Sequence, residues 1–191
     1  MTRTYDLGID NDGVLHSFGG SFKYFVISEN IRTEAECSAP IEDYHFYRKW
    51  GISDDEFPQI CHDGVNAGII FMHGEPFPGA RSCMRQLKAS GHRLHIITDR
   101  AFGEENFSED LTRQWLDLYD IPYDTLTFSA DKTCVRTDFM LDDKIENYDD
   151  LEAVGCTPYL YDRPWNQDTD CKRRRVFSFR QFVDVVEWAS T

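Results

Sequence analysis

Apolar and polar positions along the chain follow two periods. Leu7-Gly8-Ile9 is a short apolar run that stops at Asp10, with Asp12 two residues on and Gly13 turning the backbone away. The same form returns at Arg93 to Thr98, at Thr125 to Phe128 and at Phe139 to Leu141. Short apolar runs with polar ends predict buried strands of a parallel sheet. Between them the apolar residues recur at helical spacing. Ala80, Met84 and Leu87 mark a helix over 79–90 with Gly91 as its C′ residue, and Leu111, Trp115, Leu116 and Leu118 mark another. The last third continues the alternation. A helix near 148–154 stops at Gly155, Pro158 to Tyr161 and Val176-Phe177 read as strands, and a helix over 179–188 takes Ser178 as N-cap. From residue 75 onward the pattern is that of an α/β fold, a parallel sheet covered by helices on both faces.

Residues 16–74 break this alternation. Phe18, Phe22, Phe25 and Val26 recur at helical spacing, and Ser53-Asp54-Asp55-Glu56 has the form of a capping box. The span therefore reads as a small helical cap inserted after the first strand, with residues 1–15 and 75–191 forming the core. The Pro-rich turn Glu75-Pro76-Phe77-Pro78-Gly79-Ala80 brings the chain back. The cap is rich in aromatics, including Phe18, Phe22, Tyr24, Phe25, Tyr44, Phe46, Tyr47 and Trp50. Most of these are expected in its own core, leaving one or two to face the crevice and stack on a flat ligand.

Size and charge narrow the function classes. A chain of 191 residues accommodates one α/β core with an insert. Its net charge of -14 disfavours nonspecific binding to a polynucleotide backbone, and the single basic run, Lys172 to Arg175, reads as a solvated segment before a strand. The six cysteines, Cys37, Cys61, Cys83, Cys134, Cys156 and Cys171, form no Cys-x-x-Cys pair and no zinc spacing. Free thiols, no apolar signal segment ahead of the first strand and no window of membrane-spanning length lead to the expectation of a cytoplasmic protein.

The candidate chemistry lies at the strand ends, where open α/β sheets form their crevice. Asp10 and Asp12 follow the first strand, Thr98 ends the second, Lys132 follows the third, and Asp142-Asp143 ends the fourth. Two carboxylates as close as Asp10 and Asp12 repel, so one should have a raised pKa unless a cation joins them. Taken singly, each motif has a plain structural reading: a solvated turn, a structural threonine, a surface lysine, an acidic pair at a helix N-terminus.

The ordered set, Asp-x-Asp, Thr, Lys and Asp-Asp, resembles the haloacid dehalogenase (HAD) superfamily, whose fold is a Rossmann-like sheet. More narrowly it resembles the 5′(3′)-deoxyribonucleotidase family. That match is carried by Asp10 to Leu15 with Phe18 beyond it, by Glu75 to Ala80, and by Asp131-Lys132-Thr133 joined through Asp138 to Leu141-Asp142-Asp143-Lys144. It covers residues 5–15 and 75–150 and is weak across the cap.

The resemblance implies a Mg²⁺-dependent phosphomonoesterase acting through an aspartyl phosphate. Asp10 is then the nucleophile and a metal ligand. Asp12 is the general acid and base, entering the cycle protonated, with its backbone carbonyl on the metal. Thr98 binds a phosphoryl oxygen, Lys132 balances charge, Asp143 is a metal ligand, and Asp142 acts beside it or through water. An Asp at position 12 counts against a dehalogenase. The implied substrate is a deoxynucleoside monophosphate, with Phe18 and Tyr44, Phe46 or Tyr47 walling the base; Val65 stands where the family tends to place another aromatic. The family usually has a small residue and a proline after the threonine, whereas this chain has Asp99-Arg100. Two readings of Arg100 are open, a donor to a second phosphate or sugar hydroxyl and a partner for Asp99. Family members often form homodimers. Rival functions are phosphatase action on another small ester or a polynucleotide 3′ end, and a catalytically silent nucleotide-binding module.

Overall fold

Strand β1 (Asp6–Ile9) is central to the sheet, and Leu7 and Ile9 are wholly buried there. The computed structural model describes residues 3–167 and 172–191, so Cys171 lies outside the described residues. Beside β1 lie β2 (Arg93–Thr98) and β3 (Thr125–Phe128) on one side. On the other lie β4 (Phe139–Asp142), β5 (Thr157–Tyr161) and β6 (Arg175–Val176). All pairings are parallel, giving a six-stranded sheet in the order β3-β2-β1-β4-β5-β6. The order reverses between β1 and β4, and at such a switch point the strand ends leave a crevice.

Alternate residues send the two faces of the sheet to different helices. Leu7, Ile9, Leu94, Ile96 and Leu141 pack with α3 (Ala80–Ala89), α4 (Phe107–Leu118) and α6 (Phe179–Ala189), whose Leu87, Trp115 and Phe182 are fully buried. Ile97 and Met140 face the other way, onto Leu151 of α5 (Ile145–Ala153). Gly8 is required on that face, since a Cβ there would sit 2.2 Å from the Met140 sulfur. Ser178 caps α6 by accepting from the Gln181 amide at 3.2 Å.

The inserted segment has its own apolar cluster. It gathers Phe22 and Phe25 of α1 (Phe18–Ser28), Ile60, Cys61 and Val65 of α2 (Glu56–Asn66), and Phe46, Trp50, Ile70 and Phe71, joined by Leu111 of α4. The Ser53 hydroxyl accepts from the Glu56 amide at 3.2 Å while the Glu56 carboxylate accepts from the Ser53 amide at 2.8 Å, the reciprocal bonds of a capping box. The cap is also clasped to the loop after β2. His62 Nδ1 accepts from the Gly103 amide and Asn66 Oδ1 from the Glu104 amide, both at 2.9 Å.

Several expectations shift at element ends. Helix α5 starts at Ile145, one residue after the acidic pair with Lys144 between as N-cap, and Leu118 is 62% exposed at the end of α4. In the basic run, Arg173 pairs with Asp149, Arg174 with Glu152 and Arg175 with Asp162, so these residues tie the segment to its neighbours. Cys37, Cys61, Cys83, Cys134 and Cys156 are free thiols. No helix among the described residues is long and apolar enough to cross a membrane.

Candidate active site

The end of β1 is shaped by its own backbone. The Asn11 carbonyl accepts from the amides of Leu15 and His16, and Gly13 turns with φ +80 and donates to the His16 carbonyl. Asp10 and Asp12 are thereby held at the floor of a cavity of about 520 Å³ between cap and sheet, a size in the range of small-ligand sites. Thr98, Asp99, Lys132, Asp143 and Lys144 line the same cavity. The four strand-end motifs thus meet around one space.

Lys132 is buried and donates to Asp10 Oδ1 and to the Ile97 carbonyl, each at 2.8 Å. Burial alone would lower its pKa, but the charges of Asp10 and Asp142 raise it, so it remains an ammonium. Asp142 accepts from the Lys144 amide at 2.8 Å and from the Asn147 side chain on both oxygens. Asp143 is fixed by the loop after β5: Trp165 Nε1 donates to its Oδ2 at 2.7 Å, and Asn166 to its carbonyl at 2.8 Å. That carbonyl also accepts from the Tyr44 hydroxyl of the cap at 3.0 Å. Arg163, flanked by the rings of Phe77 and Tyr161, donates to the Gly13 carbonyl at 2.5 Å.

Asp10, Asp142 and Asp143 are all buried, and each offers an oxygen within 4.8 Å of the others. Burial raises all three pKa values above the usual carboxylate range, Asp142 to about 7; the charge of Asp10 adds to this at Asp142 and Asp143, while Lys132 opposes it at Asp10. Three carboxylates crowd one place where Lys132 bonds only Asp10, and their oxygen donors suit a hard divalent cation. The Thr98 hydroxyl, 1% exposed, has no hydrogen-bond partner among the described residues and is available to a ligand at the same place.

The acidic triad is expected to make stability depend on pH and on a bound divalent cation. In the folded protein Asp142 keeps a proton that the unfolded chain loses near pH 4, so its contribution favours folding at low pH and is lost as pH rises through about 7, and the raised Asp10 and Asp143 act in the same direction. With divalent cations chelated, the midpoint of thermal unfolding is therefore expected to fall between pH 5 and pH 8. Mg²⁺ at about 100 times its Kd should raise the pH 8 midpoint by about 5–10 °C. Calorimetry at both pH values with and without Mg²⁺ checks this, and a midpoint indifferent to both would remove the triad as a cation site.

Asp12 behaves in the opposite sense to the expectation drawn from its neighbour. Burial pushes its pKa up, but the charge and hydrogen bonds of Arg100 outweigh burial and hold it well below the usual range. Asp12 is an anion here, and the raised groups are the three others. Arg100 itself is 3% exposed and turned away from the cavity, donating to both Asp12 oxygens at 2.7 and 2.8 Å. It is thus neither an open donor for substrate nor the partner of Asp99, which is exposed at the cavity edge.

Of the cap aromatics, Phe18, Tyr44 and Phe46 line the cavity, whereas Tyr47 and Val65 are buried in the cap cluster. Phe57, Phe71, Phe77, Phe102 and Trp165 complete the wall, and periodicity gave no sign of them. Phe71 takes φ +78, rare for a bulky residue, and this turns its ring both to the cavity and to Arg100.

A parallel sheet in this order, with Asp-x-Asp, Thr, Lys and Asp-Asp at consecutive strand ends around one cavity, defines a phosphatase of the haloacid dehalogenase type. Solved structures share the fold: a subfamily IA HAD-superfamily hydrolase of Geobacter sulfurreducens (TM-score 0.62, 12% identity, 97% of each chain) and a haloacid dehalogenase-like hydrolase of Xanthomonas campestris (TM-score 0.59, 13% identity, 100% of this chain and 97% of that one). The family described as "5' nucleotidase, deoxy (Pyrimidine), cytosolic type C protein" matches residues 4–189, and the chain belongs to it. It is 29% identical over 184 residues to a protein of Chlorobaculum tepidum named "Putative 5'(3')-deoxyribonucleotidase", covering 95% of this chain and 89% of that protein.

Proposed function

We propose that this phosphatase is a Mg²⁺-dependent nucleotidase that hydrolyses deoxyribonucleoside monophosphates to nucleoside and phosphate. The observation that carries the reading is the division of the cavity: carboxylates, Thr98 and Lys132 form its floor, and Phe18, Tyr44, Phe46, Phe57 and Trp165 stand among its walls. A phosphate ester fits the floor, and a flat apolar base fits the walls. Membership of the nucleotidase family and the likeness to the Chlorobaculum protein support the same substrate class.

Asp10, Asp143 and the Asp12 carbonyl would hold Mg²⁺ with Asp142 beside them, and the bound cation supplies neutralisation of the phosphoryl oxygens. The Asp10 carboxylate attacks phosphorus, the bond from phosphorus to the leaving oxygen breaks, and an aspartyl phosphate forms. Lys132 and the Thr98 hydroxyl stabilise charge on the transferring group. The leaving oxygen takes its proton from Asp12. Because Asp12 is an anion in the free protein, that proton enters with the substrate, as the monoanion of the phosphate ester. Water then attacks the aspartyl phosphate, Asp12 takes the water proton, the bond from Asp10 to phosphorus breaks to free its carboxylate, and Asp12 returns the proton to the phosphate, which leaves as H2PO4⁻.

The test is phosphate release with Mg²⁺ from deoxy- and ribonucleoside 5′- and 3′-monophosphates, a sugar phosphate and a 3′-phosphorylated oligonucleotide. Preference for deoxymononucleotides is expected, with kcat/KM falling as pH rises above about 6, where the ester loses its second proton. Equal activity on all small esters would discard the nucleotide assignment. Preference for the oligonucleotide would replace it with 3′-end processing.

A further inference from the structure

Arg100 is a buried charge at the site with no part in the steps above. Its nitrogens are nevertheless spent in one coordinated arrangement. Nε donates to Asp12 Oδ2 at 2.8 Å and Nη2 to Asp12 Oδ1 at 2.7 Å, a two-pronged pairing in which guanidinium and carboxylate planes constrain each other. Nη1 donates to the Thr112 hydroxyl of α4 at 2.9 Å, and that hydroxyl donates onward to the Ser108 carbonyl at 2.6 Å. The Phe71 ring of the cap lies 4.1 Å from the guanidinium carbon. His16 closes the remaining side. Its Nε2 lies 2.9 Å from the His73 carbonyl, which can only accept, so Nε2 carries the hydrogen and the neutral ring presents Nδ1 as acceptor. Nδ1 lies 3.1 Å from Arg100 Nη2.

Asp12 sits on a loop past the end of β1, where a lone carboxylate rotates freely about its side-chain bonds. Here Arg100 fixes its plane, and α4, His16 and Phe71 fix Arg100. We infer that Arg100 is a positioning residue for Asp12, aiming the carboxylate so that one edge gives the proton to the leaving oxygen and takes it from the attacking water. The inference rests on the acid and base role of Asp12 in the proposed function. No bond to substrate is assigned to Arg100.

The two half-reactions separate this role from a structural one. An alkoxide leaving group needs the proton from Asp12, whereas a nitrophenolate does not, and both substrates need Asp12 for the water step. In Arg100→Gln, kcat on a nucleoside monophosphate is expected to fall about 10- to 100-fold with KM changed less than about 3-fold. With p-nitrophenyl phosphate the first turnover should keep its rate, giving a burst of one nitrophenolate per enzyme before a slowed steady state. Arg100→Lys, which keeps the charge and loses the two-pronged geometry, should recover thermal stability but not nucleotide turnover. Thr112→Val removes only the brace on Nη1, so it should show the same pattern more weakly and serves if the Arg100 variants fail to fold.

Equal losses on nucleotide and on the first aryl turnover, tracking a lowered melting midpoint, would overturn the inference and make Arg100 structural. So would unchanged nucleotide turnover in folded Arg100→Gln. Asp12→Asn is the reference that tells the two failures apart. If it shows the burst and Arg100→Gln does not, the Arg100 inference fails alone; if it turns over nucleotide normally, the Asp12 role fails first.

Discussion

Asp10→Asn is expected to lower kcat by at least about 10⁴-fold, because an amide oxygen is a poor nucleophile towards phosphorus and no second group can form the covalent intermediate. The substitution preserves shape at a position 7% exposed. It strips Lys132 of its carboxylate at 2.8 Å, which costs stability, but also removes one of three mutually repelling buried carboxylates. The melting midpoint without cation should therefore hold or rise while turnover vanishes. Rapid-quench phosphate release with a parallel thermal melt reads both, and retention of full activity in a folded variant would end the Asp10 mechanism.

Gly13→Ala is expected to be the next most damaging change, although it removes no chemical group. The backbone there has φ +80, and a Cβ would lie 2.1 Å from Asp143 Oδ2 and 2.6 Å from its Cγ. Asp143 cannot step aside easily, because Trp165 holds that oxygen and Asn166 and Tyr44 hold its carbonyl. A displaced ligand should raise the Mg²⁺ concentration for half activity and lower kcat/KM by about 10²-fold or more. Gly68→Ala is the matched control, with φ +70 and nothing within 4 Å of the added carbon. It should cost about 1 kcal/mol in stability from backbone strain and leave turnover intact. If both variants behave alike, the clash with Asp143 has no functional weight.

What the sequence revealed and what it concealed have a common physical origin. Strands such as Phe139–Asp142 and Arg93–Thr98 were legible because short apolar runs with polar ends are local signals, as was the Ser178 cap. The polar residues at the strand ends were legible in the same way, since a parallel fold delivers consecutive ends to one edge. The state of Asp12 was not. Repulsion from Asp10 was the only charge visible nearby, and it pointed to a protonated acid. The deciding cation, Arg100, stands 88 positions along the chain and reaches Asp12 only after β2 pairs with β1. The aromatic wall was hidden for a similar reason. Phe57, Phe71 and Phe102 come from a helix, a turn and a loop, and share no period.

The clasp between α2 and the loop after β2 gives the cap a further hold on the core, beside the Tyr44 bond to Asp143 and the strand and turn that enter and leave it. His62 and Asn66 grip the amides of Gly103 and Glu104, and Gly103 is three residues from Arg100. On the proposed function, a tilt of α2 on meeting a nucleobase would pull on the segment that carries Arg100. Binding of the base and orientation of Asp12 would then share a mechanical linkage a few residues long. Slow deuterium uptake at the Gly103 and Glu104 amides would be its signature.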